Sequence, residues 1–250
     1  MKNAISTTLV AILLSACGTV NRPVIISPTE ALEIQPRMQR TTEDLEDYCF
    51  NITPTHSIGI KEITTTPESF VKQNKDLLAA INGPYFGLDN RPEGLSYLSE
   101  GHHFATQKPQ HIRGYFTINK NGTDIKISEN LNMTLKDYFL VIGTHPLLVL
   151  DWEIHSQAKE GRYATIGKAQ RSAIGTRTGR DICFAVSKVD LTMEGWAETL
   201  KNYGYRGAIN LDGGPYSQLS IREGNKIESK GIGQAQTRSV IFEYKKWYYF

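Results

Sequence analysis

The sequence lacks the features that mark several common classes of protein. Its three cysteines are too few to build a disulfide-held miniprotein of 250 residues. Its 28 Lys and Arg nearly balance its 26 Asp and Glu, so we predict no nucleic-acid partner. No apolar run after residue 16 is long enough to span a membrane. The remaining composition, 40% hydrophobic and 22% charged, is that of a globular domain with a sizeable core.

The amino terminus has the pattern of a bacterial lipoprotein signal. Lys2 gives a positive start, residues 9–14 are apolar, and a Leu-Ser-Ala-Cys sequence ends at Cys17. We expect residues 1–16 to be removed and Cys17 to carry the lipid, palmitate included. The alternative is an ordinary secretory signal with an incidental cysteine. The expected location is the bacterial envelope, at the outer membrane facing the periplasm.

A tether and one domain are predicted to follow the signal. Residues 17–44 are rich in Thr, Pro, Asn and Arg, and Pro23, Pro28 and Pro36 exclude a long helix. Residues 45–250 are predicted to form a single domain. Cys49 and Cys183 are the two remaining thiols, and they either pair as a disulfide in an oxidising compartment or lie as buried free cysteines on separate strands.

The domain is predicted to be α+β, with a mixed, mostly antiparallel sheet and few helices. One helix begins after the capping residue Thr66, and another begins after Thr192 with Met193, Trp196 and Leu200 on one face. Strands are predicted over residues 57–63, 77–81, 113–118, 123–128, 147–150, 172–176, 181–186, 208–211, 217–221, 226–229 and 239–244.

Three short segments contain more polar and glycine residues than the fold alone requires. They are residues 82–86 (Asn-Gly-Pro-Tyr-Phe) with 92–95 (Pro-Glu-Gly-Leu), 171–175 (Arg-Ser-Ala-Ile-Gly) and 210–214 (Asn-Leu-Asp-Gly-Gly). Singly, each has an ordinary structural explanation, since glycine permits tight turns and Asp or Asn caps them.

In order and spacing, these segments, with the Pro-Leu-Leu-Val strand at 146–149, resemble the phosphodiester glycosidase family. The resemblance extends over about residues 57–244. It implies a hydrolase that cleaves a glycosyl 1-phosphodiester and needs no cofactor. Pro215 and Tyr216 depart from the family pattern, which has Gly and Ser there, and His145 stands where a small residue is common.

The resemblance and the chemistry together suggest catalytic roles for three residues. Cleavage at an anomeric carbon passes through an oxocarbenium-like state, which a carboxylate stabilises or attacks; Asp212 is the first candidate and Glu93 the second. Arg171 is expected to bind the phosphate oxygens through a planar fork.

The remaining candidates are expected to bind the substrate. Asn82 would orient a sugar hydroxyl or amide, and the backbone amides of the glycines would approach the anion. The predicted substrate-binding residues are Asn82, Gly83, Asn210, Gly213, Gly214, Ser217 and His102.

Two further functions are consistent with the sequence. A carbohydrate-binding lipoprotein without turnover is suggested by Pro215 and Tyr216. A metal-dependent phosphodiesterase that cuts the P–O bond is the other, although the histidines at 102, 103, 111 and 145 lack a metal-ligand spacing and we predict no metal site. The main prediction is a lipid-anchored hydrolase whose partners are the membrane and a glycan or sugar-phosphate substrate.

Overall fold

Strands are the main regular structure in the part of the chain that the structure describes. A computed structural model describes residues 38–41, 43–53, 56–87, 93–99, 102–104, 112–131, 134–160, 167–231 and 233–245. In chain order the strands are β1 (Met38–Thr41), β2 (Leu45–Asn51), β3 (His56–Thr65), β4 (Leu77–Asn82), β5 (Leu95–Leu98), β6 (His102–Phe104), β7 (Gly114–Asn119), β8 (Ile125–Ser128), β9 (Tyr138–Thr144), β10 (Leu147–Leu150), β11 (Glu153–Ile154), β12 (Ser172–Thr176), β13 (Asp181–Ser187), β14 (Gly207–Asn210), β15 (Leu219–Glu223), β16 (Lys226–Lys230) and β17 (Thr237–Lys245). The helices are α1 (Pro67–Gln73), α2 (Ser156–Lys159) and α3 (Met193–Asn202).

The strands form three sheets instead of the single sheet that the sequence suggested. Their orders are β1-β2-β13-β12-β14-β10-β11, β16-β15-β4-β17-β3 and β6-β5-β9-β7-β8. The mostly antiparallel character is confirmed, and every strand pairing in the described ranges is antiparallel. The described residues belong to one compact unit spanning residues 35–250.

The inner faces of all three sheets contribute to one apolar core. Ile81 of the second sheet, Phe116 of the third and Phe184 of the first are fully buried in the same cluster. Burial on this scale is the main stabilising term of such a fold, at about 25 cal/mol per Å² of apolar surface. The core therefore fixes the positions at which the strands of different sheets end.

The two predicted helices are confirmed, together with their caps. Thr66 accepts a hydrogen bond from the Ser69 amide at the start of α1, and Thr192 accepts one from the Gly195 amide at the start of α3. Trp196 on α3 is buried against the first sheet. Within the described residues, no helix is long and apolar enough to cross a membrane.

Strand β1 lies in the segment that was predicted to be a tether. Its residues pair with β2 from Met38 opposite Cys49 to Thr41 opposite Glu46. The folded part of the chain therefore begins before residue 45. The strand could not be predicted from the sequence, because its pairing uses backbone groups and a short segment without an apolar alternation is sufficient for it.

The structure joins Cys49 and Cys183 in a disulfide. The two residues stand directly opposite each other on β2 and β13. The sequence left open a disulfide or two buried free cysteines, and the structure contains the disulfide. The lipidation candidate Cys17 lies outside the described residues.

Candidate active site

The three predicted segments meet where strands from all three sheets end. Asn82 is the last residue of β4 and Asn210 the last of β14, while Leu95 opens β5. Backbone bonds link these ends: the Asp212 amide donates to the Gly83 carbonyl at 3.1 Å, and the Asn210 amide donates to the Pro146 carbonyl at 3.1 Å. Segments far apart in the sequence thus surround one site.

A buried polar network holds the backbone of Asp212. The Asn82 side-chain amide donates to the Asp212 carbonyl at 2.6 Å and to Ser172 Oγ at 3.0 Å, and Ser172 Oγ donates to the same carbonyl at 2.6 Å. Asn82 Oδ1 in turn accepts from the Gln218 amide at 3.2 Å. Asn82 is 0% exposed, and these bonds hold its side chain against the Asp212 backbone. Asn82 therefore positions Asp212, and its expected contact with the substrate stays a prediction.

The Asp212 carboxyl group has the electrostatics of an acid–base residue. Burial raises the pKa of Asp212 to about 7; the Gly213 amide, which donates to Oδ1 at 3.0 Å, opposes this shift, and the nearby charge of Glu93 adds to it. A carboxyl group titrating near neutral pH can take up and release a proton during turnover. The structure thus brings the two predicted carboxylates close enough to interact.

The glycine amides donate to groups of the protein itself. The Gly83 amide donates to the Ser239 carbonyl at 2.8 Å, the Gly213 amide to Asp212 Oδ1 at 3.0 Å, and the Gly214 amide to the Gln170 carbonyl at 2.8 Å. Each amide has a partner within the protein, and the expected cradle for a phosphate stays a prediction. Gly83 also permits close packing, since a Cβ on it would lie 2.0 Å from Ser239 Oγ.

Arg171 is also occupied by the protein itself. The residue is 3% exposed, its Nε donates to the Leu191 carbonyl at 3.0 Å, and its Nη2 donates to the Gly167 carbonyl at 2.7 Å. Burial lowers the pKa of the guanidinium. These two bonds use Nε and one N–H of Nη2, and the expected contact of Arg171 with the phosphate stays a prediction. The side chain of Arg171 thus links the residue before β12 to the backbone at Gly167 and Leu191.

Tyr85 and His145 belong to the site but were not predicted as site residues. Their rings stack with centroids 4.6 Å apart at an angle of 4°. The Asn210 side-chain amide donates to the Tyr85 hydroxyl, and the Glu93 amide donates to the Tyr85 carbonyl at 2.8 Å. The stack links the second sheet to the turn before β10. The sequence signal was present, because Tyr85 lies within the 82–86 motif and His145 is a departure from the family pattern.

The other predicted ligands are placed as follows. Asn210 is 0% exposed, and its Oδ1 has no hydrogen-bond partner among the described residues. Ser217 Oγ is likewise buried and has no hydrogen-bond partner among the described residues, and its expected contact with the substrate stays a prediction. The side chain of His102 lies outside the described residues.

One group of side chains in the described ranges has the spacing of a metal site. It consists of Cys49, Asp181 and Cys183. Both sulfurs are used in the disulfide, so the group offers no thiolate to a metal.

Comparisons with known proteins identify a family and two similar folds. A family model described as phosphodiester glycosidase matches residues 75–242, about two thirds of the chain. The catalytic domain of zebrafish N-acetylglucosamine-1-phosphodiester alpha-N-acetylglucosaminidase, auto-inhibited by its pro-peptide in that structure, is similar with a TM-score of 0.58 and 16% identity, covering 81% of this chain and 78% of that one. A hypothetical protein from Synechocystis is similar with a TM-score of 0.54 and 13% identity over 84% of this chain, which spans 61% of that protein's length. No curated protein matches the sequence significantly.

At these identities the two structures show only that the fold is shared. The family model covers more than half of the chain and includes Asp212, Glu93 and the residues of the network beneath them. The predicted resemblance is therefore confirmed, and the chain is a glycosidase-type enzyme that belongs to the phosphodiester glycosidase family.

Proposed function

We propose that this enzyme hydrolyses a glycosyl 1-phosphodiester of an envelope or extracellular glycan, at the bond between the anomeric carbon and the phosphate oxygen. The observation that carries the proposal is Asp212, whose pKa of about 7 and proximity to Glu93 provide an acid–base group beside a second carboxylate. Most glycosidases use a pair of carboxyl groups to cleave a glycosidic bond through an oxocarbenium-like transition state.

The bond changes follow from the leaving group. The C–O bond to the phosphate breaks with its electron pair on oxygen, and a phosphomonoester leaves; since the second pKa of such a group is about 6, it departs with little help from an acid. A water oxygen bonds to the anomeric carbon. Asp212 accepts the proton of that water and later returns it to solvent, while Glu93 stabilises the positive charge that develops on the sugar.

Release of free sugar from an activated sugar 1-phosphodiester by the folded domain tests the proposal. In water enriched in oxygen-18, we expect the label in the sugar and none in the phosphomonoester. Label in the phosphate, with loss of activity on addition of a chelator, would show a phosphodiesterase that cuts P–O. Glycan binding without any release would show that the fold is retained without turnover.

The location of this reaction is a separate part of the proposal. The Leu-Ser-Ala-Cys sequence ending at Cys17 supports lipidation and a site at the membrane surface facing the periplasm. We expect the full chain expressed in a bacterium to incorporate labelled palmitate, and Cys17→Ser to abolish incorporation. Equal labelling of both proteins would contradict an anchor at this residue.

A further inference from the structure

Asp212 and Arg171 lie side by side at one end of the first sheet. Strands β12 and β14 are antiparallel with Ala173 opposite Asn210, and the same register continued by two residues sets Arg171 opposite Asp212. Side chains directly opposite in such a pair share one face of the sheet, and so do side chains two residues apart. A Cβ on Gly213 would lie 3.7 Å from Arg171 Nη1, in agreement with this placement. Asn210, Asp212 and Arg171 therefore share one face.

Tyr85 covers Asn210 on this face. The Asn210 side-chain amide donates to the Tyr85 hydroxyl and, at 2.7 Å, to the Leu211 carbonyl. The atom that makes both contacts must be the nitrogen, because an amide oxygen would be repelled by the carbonyl oxygen. The Tyr85 oxygen is therefore the acceptor, and its own O–H is directed away from Asn210. Asn210 is 0% exposed and Tyr85 is half-buried, so Tyr85 is the member of the pair that reaches the surface of the site.

Two further contacts place Tyr85 among the predicted catalytic residues. Burial lowers the pKa of Arg171, and a charge on the Tyr85 oxygen opposes this shift, so the hydroxyl and the guanidinium are within electrostatic range of each other. The Tyr85 carbonyl accepts from the Glu93 amide at 2.8 Å, and the charge of Glu93 acts in turn on Asp212. The ring of His145, stacked at 4.6 Å between centroids, restricts the orientation of the phenol.

We propose that the Tyr85 hydroxyl donates a hydrogen bond to a non-bridging oxygen of the substrate phosphate. This inference rests on the proposed function, which requires an anionic leaving group. A single oxygen joins that phosphate to the anomeric carbon, so its ligands must lie beside Asp212, as Tyr85 does. The charge of the phosphate grows from one negative charge toward two as the C–O bond breaks. A donor that is already held in place therefore stabilises the transition state more than the substrate, and the phenol keeps its proton throughout.

Titration of the folded protein with methyl phosphate, a small phosphomonoester, tests the assignment without any turnover. We expect Tyr85→Phe to weaken binding by about 10-fold or more, the usual effect of losing a hydrogen bond to a charged group. This variant keeps the ring and its stack on His145. Tyr203→Phe is the matched control, because Tyr203 is a half-buried tyrosine at the end of α3 that packs against apolar residues of the first sheet and α3. It should bind methyl phosphate like the wild type.

A kinetic comparison separates a contact with the phosphate from a general disturbance of the site. For a sugar 1-phosphodiester, Tyr85→Phe should lower kcat/KM by about 10–100-fold, since it removes one donor to a developing negative charge. For an aryl glycoside of the same sugar, the leaving group has no phosphate oxygens, so the loss should stay below about threefold.

Two results would overturn the assignment. One is equal affinity for methyl phosphate in the wild type and in Tyr85→Phe, absence of binding in both included. The other is an equal loss of kcat/KM in Tyr85→Phe on the phosphodiester and on the aryl glycoside. Absence of turnover with any substrate would reject the proposed function, and the methyl phosphate titration would still decide the role of Tyr85.

Discussion

Replacing Asp212 by Asn should lower kcat/KM for a sugar 1-phosphodiester by about 10²–10⁴-fold, the usual contribution of a positioned acid–base group. The amide has the same shape as the carboxyl group but cannot take a proton from water. The backbone bonds of Asp212 to Gly83, Asn82 and Ser172 do not involve its side chain, so the loop should keep its position. Steady-state kinetics on the folded domain measures the loss.

The control for this variant is Asp151→Asn. Asp151 lies in the exposed turn between β10 and β11, beside the start of β14, whereas Asp212 follows the end of β14; Asp151 pairs with Arg206. Its replacement should leave kcat/KM within about twofold, since surface ion pairs contribute little. An Asp212→Asn enzyme as active as this control would remove Asp212 from the mechanism.

The free energy of unfolding of Asp212→Asn should show that the variant is folded, so that its loss of activity is a loss of catalysis. In the wild type, the unfolded chain loses the Asp212 proton near pH 4, whereas the folded protein keeps it up to about pH 7. The folded state binds the extra proton across this window, so the wild-type free energy of unfolding falls as pH rises through it. Asp212→Asn should lack this decrease and be the more stable protein at pH 8 in urea unfolding. Identical pH profiles would show that the buried carboxyl group does not titrate as described.

Replacing Gly83 by Ala should destabilise the domain by about 3 kcal/mol, at the upper end for overpacking. The new Cβ would lie 2.0 Å from Ser239 Oγ and 3.0 Å from Ser239 Cβ. The backbone cannot move aside easily, because the Gly83 amide and carbonyl are bonded to Ser239 and Asp212. Activity should fall as well, since any shift moves Asp212. Urea unfolding and kcat/KM measure the two effects.

Ser239→Ala provides a compensating change for this prediction. The Ser239 hydroxyl is buried and has no hydrogen-bond partner among the described residues, so its removal alone should cost little. In the double variant, the 2.0 Å contact is gone, and the contacts with Ser239 Cβ at 3.0 Å and with its backbone carbonyl carbon at 3.2 Å remain. The double variant should therefore recover much of the lost stability. Strict additivity of the two changes would contradict the steric explanation.

The parts of the fold that depend on local chemistry could be predicted from the sequence. Thr66 and Thr192 predict the starts of their helices, because a capping side chain bonds to an amide within the first turn. Asn121-Gly122 predicts a hairpin turn, because glycine readily adopts the φ of +73° found at Gly122. The strand β1 and the division into three sheets were not predictable in this way. They depend on which backbone groups meet across long separations in the chain.

The candidate site shows the same distinction. The motifs suggested Asp212 and Glu93 as the two carboxylates, and in the structure the charge of Glu93 contributes to the raised pKa of Asp212, although the two lie more than 100 residues apart. The hydrogen-bond partners of Arg171 and of the Gly83 amide could not be predicted. The local sequence around an arginine before a strand is the same whether its side chain binds a ligand or a backbone carbonyl. Burial decided these cases, and burial is a property of the assembled sheets.

The polar network under Asp212 has a consequence for the order of folding. Asn82 reaches Ser172 across 90 residues and the Asp212 carbonyl across 130. Contacts this distant in sequence form slowly, because a long loop must close before any of them is made. No hairpin or smaller fragment of the chain contains both partners. The network that positions Asp212 therefore forms only when the sheets pack together, so a partly folded chain should be inactive.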